Sequence, residues 1–312
     1  MQISLRTLLA PLAGLSMAAI ATLGHAAEPL RGLIDAPALQ ARLNMPGLVV
    51  LDIRSGESRE AGRATYLAGH LPGAVHADYA HAAWRLPRGK VSVYLPEPAQ
   101  IEALAGDLGI SNDSDVVIVH EGTDASSFGA AARVYWTLKT VGHGSVAILD
   151  GGQQAWVKAG FPLAKGGVQP SPAIYEAKPV EGLRARLEDV LAAEANGVTL
   201  VDSRPESYYS GLEKHRGVDA FGHVPGAVNL PHHTAFSSDF RLKDKQTLAK
   251  LFAPAGQGAS IAYCNTGHWA ATDWFVLSEV LGRDTKLYDG SMLEYASEKK
   301  GPVSNPRAKS GS

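Results

Sequence analysis

The chain has 312 residues, 45% of them hydrophobic and 19% charged, which is enough apolar material for two domains and too much for a disordered chain. Against 29 Lys and Arg stand 31 Asp and Glu, and a formal charge of -2 gives no electrostatic case for binding nucleic acid. The single cysteine, Cys264, excludes an internal disulfide framework and any cysteine-cluster metal site.

Residues 1–27 carry one early cation, Arg6, then a mostly apolar run from Leu8 to Leu23 that closes on Gly24-His25-Ala26-Ala27. That layout predicts a secretory signal peptide cleaved after Ala26 or Ala27. Pro11 and the Ala/Gly content argue against a retained membrane anchor, which needs about 20 strongly apolar residues. The expected mature protein is exported, in a bacterial cell to the periplasm, and has no membrane contact after cleavage. A lone thiol in an oxidising compartment has no internal partner, so its presence there calls for a reason.

Next along the chain, residues 49–54 read VVLDIR, 69–75 GHLPGAV, 116–120 VVIVH and 148–151 ILDG. Four features of the same kind return in the same order: LVDSR at 200–204, GHVPGAV at 222–228, SIAYC at 260–264 and LYDG at 287–290. A duplicated unit explains this pattern. The Gly- and Pro-rich stretch 165–179 reads as the linker between a first domain, 28–164, and a second, 180–301. The polar tail 302–312 is expected to lack structure.

Each half alternates strand and helix. The runs 116–119 and 260–263 have strand length and composition. Residues 133–141 read as an amphipathic helix stopped by Gly142; Ala270, Trp274, Leu277 and Leu281 recur at helical spacing before Gly282. Such alternation predicts an α/β fold with a mostly parallel sheet flanked by helices in each domain. Ligands of such sheets sit beyond the carboxyl ends of the strands, where Cys264 falls.

Cys264-Asn265-Thr266-Gly267-His268-Trp269-Ala270 bridges a predicted strand and a predicted helix. A turn of this kind gathers unpaired backbone N–H groups and the positive end of a helix dipole, a setting that suits an anionic sulfur. Gly267 permits the tight turn. Burial as an inert filler is the competing reading of the same cysteine.

The ordered, repeated motifs resemble the tandem-domain rhodaneses, the thiosulfate and 3-mercaptopyruvate sulfurtransferase family, across nearly the whole mature chain. FGAAARVYWTLKTVGH with LDGGQQAW in the first half, and YDGSMLEY in the second, extend the match. The resemblance implies a catalytically silent first domain, with His120 where a cysteine would stand, and an active second domain. There Cys264 would carry a persulfide held by residues 265–270, taking sulfur from a small donor and giving it to a thiol or cyanide. It implies no cofactor and no metal.

One departure matters. The loop NTGHW holds no Lys or Arg, where thiosulfate-using relatives carry cations, and Tyr208 stands near where another would sit. His268, Arg204, Lys214 and Arg216 are the candidate anion contacts, with His268 expected to be partly charged at neutral pH. A non-catalytic sulfur carrier or interaction module therefore stays open as the alternative. A phosphatase on this fold needs an Arg to close the loop, and Ala270 and Ala271 stand there instead. His232, His233 and His215 match no standard ligand spacing. The paired Asp52/Arg54 and Asp202/Arg204, and His70 with His223, are read first as structural.

Overall fold

The computed structural model describes residues 28–89 and 91–307, so the expected signal peptide lies outside the described residues. The first domain runs β1 (Leu33–Ile34), α1 (Ala36–Arg42), β2 (Leu48–Asp52), α2 (Arg59–Ala68), β3 (Val75–His76), β4 (Leu86–Arg88), β5 (Val91–Tyr94), α3 (Pro98–Asp107), β6 (Asp115–Val119), α4 (Ala125–Thr140), β7 (Val146–Leu149) and α5 (Gly152–Lys158). The second runs β8 (Arg184–Ala185), α6 (Leu187–Leu191), β9 (Thr199–Asp202), α7 (Glu206–Tyr209), β10 (Val228–Asn229), α8 (Lys245–Leu251), β11 (Ser260–Tyr263), α9 (Trp269–Trp274), β12 (Thr285–Tyr288) and α10 (Ser291–Glu298).

Two five-stranded sheets result, ordered β1-β7-β6-β2-β3 and β8-β12-β11-β9-β10, with every pairing parallel. Matched position by position the two orders are identical, so the sequence repeat is a repeat of topology. Each middle strand, β6 or β11, is buried on both faces, which is why both read as continuous apolar runs. Among the described residues the β4–β5 pair is an antiparallel hairpin without counterpart in the second domain.

Helix starts follow from local chemistry. The carboxylates of Asp35, Asp124 and Asp244 and the hydroxyl of Ser58 each accept a first-turn backbone N–H. The two Asp-x-Arg pairs tie strand ends to loops in the same way. Arg54 Nη2 bonds Asp52 at 2.7 Å and Gly69 O at 2.8 Å; Arg204 Nη2 bonds Asp202 at 2.5 Å and Gly222 O at 2.9 Å. His70 and His223 stack on Tyr66 and Tyr209, and their Nδ1 atoms meet the carbonyls of those same tyrosines.

The expected helix at 133–141 starts eight residues earlier, at Ala125, and is buried almost all round rather than amphipathic. It lies between the domains, against α9, and its Ala, Gly and Ser residues let the two backbones approach. Phe128 meets Phe236 and Phe275 edge-on at 5.2 and 5.5 Å, so one apolar core runs through both domains. The helix expected to run on to Leu281 is α-helical only to Trp274 and continues with π-type spacing over Phe275–Val280. Residues 165–179 run extended along the first domain, tied by Ala173 N–H to Gly106 O and Lys178 N–H to Val141 O. The tail departs from expectation at its start, where Ser304 and His223 exchange both backbone bonds and Tyr295 Oη bonds Pro302 O. Among the described residues no helix is long and apolar enough to cross a membrane.

Candidate active site

β11 ends at Tyr263, and Cys264 opens the turn into α9, the place His120 holds after β6. The equivalence extends to single bonds. Met292 and Leu293 N–H donate to Cys264 O and Asn265 O, as Gln153 and Gln154 N–H donate to His120 O and Glu121 O. His120 is fully buried, and that burial holds its imidazole down at about 4, so it stays neutral. Cys264 is only 1% exposed and packs with the apolar core, more enclosed than a solvent-facing nucleophile. Its backbone N–H donates to Ser291 Oγ at 3.1 Å. The four-residue DGSM and DGGQ segments align here, so Ser291, at φ +51°, takes the left-handed place of Gly152, at φ +58°.

The first domain builds much of the loop's surroundings. Arg133, fully buried on α4, donates to Gly267 O at 3.1 Å and Val93 O at 2.9 Å. Its charge faces Asp289 at 3.6 Å, and Asp289 also accepts from Arg184 Nε at 2.9 Å and Leu95 N–H at 2.7 Å. Gly267 sits at φ +69°, where a Cβ would lie 2.5 Å from Arg133 Nη1 and 2.6 Å from Asp289 O. Only glycine fits there.

His268 is held at both ring nitrogens by that domain: Nδ1 meets Tyr79 Oη at 2.9 Å and Nε2 meets Ser126 Oγ at 2.8 Å. Either neutral tautomer satisfies the pair, one hydroxyl donating and the other accepting. Burial, then the Arg85 cation, then His232, push its pKa down to about 3. The expectation of a partly charged His268 is therefore corrected: it is neutral near pH 7. Trp269 donates to Ser126 Oγ at 3.1 Å, with its ring stacked on His232 at 4.8 Å and edged by Tyr208 at 6.0 Å. Ala270 is fully buried in the first turn of α9.

Beside the loop lies a cleft of about 170 Å³ between the domains, lined by Asn265, Thr266, His268 and Trp269 together with Arg85, Ser126 and His215. Of the four candidate anion contacts only His268, which is uncharged, is among its walls. Arg204, 1% exposed, is taken up by Asp202 and Gly222; Lys214 bonds Val218 O at 3.0 Å; Arg216 points into solvent. Arg85, Tyr79, Ser126 and Arg133 escaped sequence reading, because nothing local to the cysteine loop marks them. Deeper, Asp273 on α9 is fully buried and neither carboxyl oxygen has a hydrogen-bond partner; burial raises its pKa well above normal. Among the described residues no group of three or more His, Cys, Asp or Glu is placed to hold a metal.

Paired parallel sheets, each middle strand ending in such a turn, with a thiol in one copy and an imidazole in the other, define a tandem rhodanese-like protein. The rhodanese-like domain model matches residues 35–159 and 184–298, and the chain belongs to that family. More particularly, it is a rhodanese-type sulfurtransferase. It is 36% identical over 263 residues to the thiosulfate sulfurtransferase of Bos taurus, covering 80% of this chain and 85% of that one. In structure it is similar to the 3-mercaptopyruvate sulfurtransferase SseA of Escherichia coli, with TM-score 0.71 and 26% identity over 83% of this chain and 98% of the other. An anaerobic ergothioneine biosynthesis enzyme of Chlorobium limicola shares the fold at TM-score 0.74 and 21% identity, over 88% and 70% of the two chains.

Proposed function

We propose that the protein is an exported, periplasmic sulfurtransferase that moves a sulfane sulfur from a small anionic donor to a thiol or cyanide through a Cys264 persulfide. The observation that carries this reading is the position of the lone thiol: the end of the middle strand, behind a loop whose next residues wall a cleft containing a cation.

With thiosulfate the Cys264 thiolate attacks the outer sulfur. A new S–S bond forms, the bond to the sulfonate sulfur breaks, and sulfite leaves with its electron pair. With 3-mercaptopyruvate the C–S bond breaks instead, and pyruvate leaves carrying the proton of the donor thiol. Cyanide then attacks the outer persulfide sulfur, giving thiocyanate and restoring the thiolate. Fixed dipoles of residues 265–270 suit the anionic thiolate and persulfide, because no reorganisation is needed as charge moves. The first domain, with neutral His120 in the matching place, has no nucleophile and acts by shaping the cleft. A cation in the cleft favours turnover over passive carriage of sulfur.

Thiocyanate formation from thiosulfate and cyanide tests the reading. Steady turnover by the wild type, lost in Cys264→Ser, is expected; equal turnover by the variant would exclude it.

A further inference from the structure

We infer that Arg85, which belongs to the domain without the cysteine, binds the anionic end of the sulfur donor. This deepens the sulfurtransferase reading of Cys264 and rests on it.

Four observations converge on Arg85. Its side chain lines the cleft together with Asn265, Thr266, His268 and Trp269, the residues that follow the thiol. The guanidinium is set 4.3 Å from the ring centre of Tyr79, and Tyr79 is in turn bonded to His268, so the cation is indexed to the loop rather than left swinging in solvent. Among the described residues no carboxylate pairs with it. Among the described residues the buried arginines each face a carboxylate: Arg133 faces Asp289, Arg54 faces Asp52 and Arg204 faces Asp202. Finally, Arg85 Nε is buried with no hydrogen-bond partner, an unmet donor beside the cleft.

The candidates that the sequence offered in the loop and at Lys214 and Arg204 are spent. The loop itself has no cation, His268 is neutral with both nitrogens engaged, and Lys214 and Arg204 are committed elsewhere. A planar fork of donors matches the oxygens of a sulfonate or a carboxylate, the two anionic ends that small sulfur donors offer. The donor would therefore bridge the domains, its sulfur toward the second and its charge toward the first.

Cys264 is the sole thiol, which makes a direct test available. The ratio of its alkylation rates with iodoacetate and with neutral iodoacetamide reads the cleft's preference for an anion without requiring turnover. In Arg85→Gln this ratio is expected to fall at least about fivefold, and in Arg85→Lys, which keeps the charge but not the fork, to fall clearly less, a split that loss of packing would not produce. The KM for thiosulfate should rise about 10- to 100-fold in Arg85→Gln, the range for one charge-assisted contact, with kcat changed less. An unchanged alkylation ratio in Arg85→Gln overturns the inference. A falling ratio in a protein whose Cys264 accepts no sulfur would keep the anion site and sink the sulfurtransferase reading instead.

Discussion

Ser291 Oγ accepts the backbone N–H of Cys264 at 3.1 Å from a residue held at φ +51°. The matching residue of the first domain is Gly152, at φ +58°, so the second domain places a side chain where the fold prefers none. Left-handed backbone costs a non-glycine residue about 1–2 kcal/mol. The hydroxyl offsets that cost by satisfying a buried donor at the residue that carries the thiol, and it donates in turn to Tyr288 O at 2.9 Å. Ser291→Ala keeps the strain and orphans the N–H, which costs about 1–3 kcal/mol. Ser291→Gly loses the same bond but relieves the strain. Urea midpoints should rank wild type above Ser291→Gly, and that above Ser291→Ala; an alanine variant as stable as wild type would contradict this.

Gly267 and Arg133 should behave as one unit. In Gly267→Ala the new methyl meets Arg133 Nη1 and Asp289 O at φ +69°, with a predicted loss of about 1–3 kcal/mol. Arg133→Met leaves Asp289 with Arg184 and the Leu95 N–H but strips the carbonyls of Gly267 and Val93 of their buried donor, a loss of about 1–3 kcal/mol. Because Arg133 is much of what the methyl strikes, the cost of Gly267→Ala should be smaller in the Arg133→Met background. A double-mutant cycle by chemical denaturation measures it; strict additivity would refute the coupling.

Acid should weaken the protein through its buried imidazoles. His268 is lowered to about 3 and His120 and His232 to about 4, in each case first by burial. The unfolded chain then binds more protons than the native one below about 6.5, so stability is full above that pH and is lost as pH falls toward 4. Denaturation midpoints at about pH 7.5 and 4.5 should show the drop, and it should shrink in His268→Gln. Near neutrality His268 does not titrate, so this variant should leave the shape of the pH–rate profile between about pH 6 and 8 unchanged.

Asp273 works in the opposite direction. Burial raises its pKa, so the native state holds this proton more tightly than the unfolded chain. Its contribution is present below the unfolded value near 3.9 and is lost as pH rises. Ser203, beside the carboxyl, favours its charged form only weakly against that burial, and Asp202 repels it. Asp273→Asn, neutral at every pH, is predicted to raise the denaturation midpoint at about pH 8 and to change it little at about pH 4. A destabilised variant at pH 8 would be inconsistent with a stranded carboxyl.

What could be read from sequence was local or periodic. The runs at β6 and β11 are buried on both faces and carry continuous apolar signals, and Asp-x-Arg pairs close over two residues. The parallel sheets followed from the strand–helix alternation of each half, while the strand order had no local signal. The first turns of α4 were missed because Ala, Ser and Gly there serve close packing: a Cβ at Gly129 would already meet His268 O at 3.1 Å. The walls of the cleft were missed for a different reason. Ser126 lies 142 positions and Tyr79 189 positions from the histidine they hold, so no spacing connects them. The expected partial charge on His268 does not hold because its charge is decided by that enclosure, which no spacing reveals.

Intact mass after incubation with thiosulfate and removal of excess donor tests the central claim most directly. Wild-type protein should gain one sulfur atom, release it to cyanide, and show no gain when Cys264 is replaced by Ser. A wild type that stays at its original mass, or a Cys264→Ser variant that gains sulfur equally, would contradict the account.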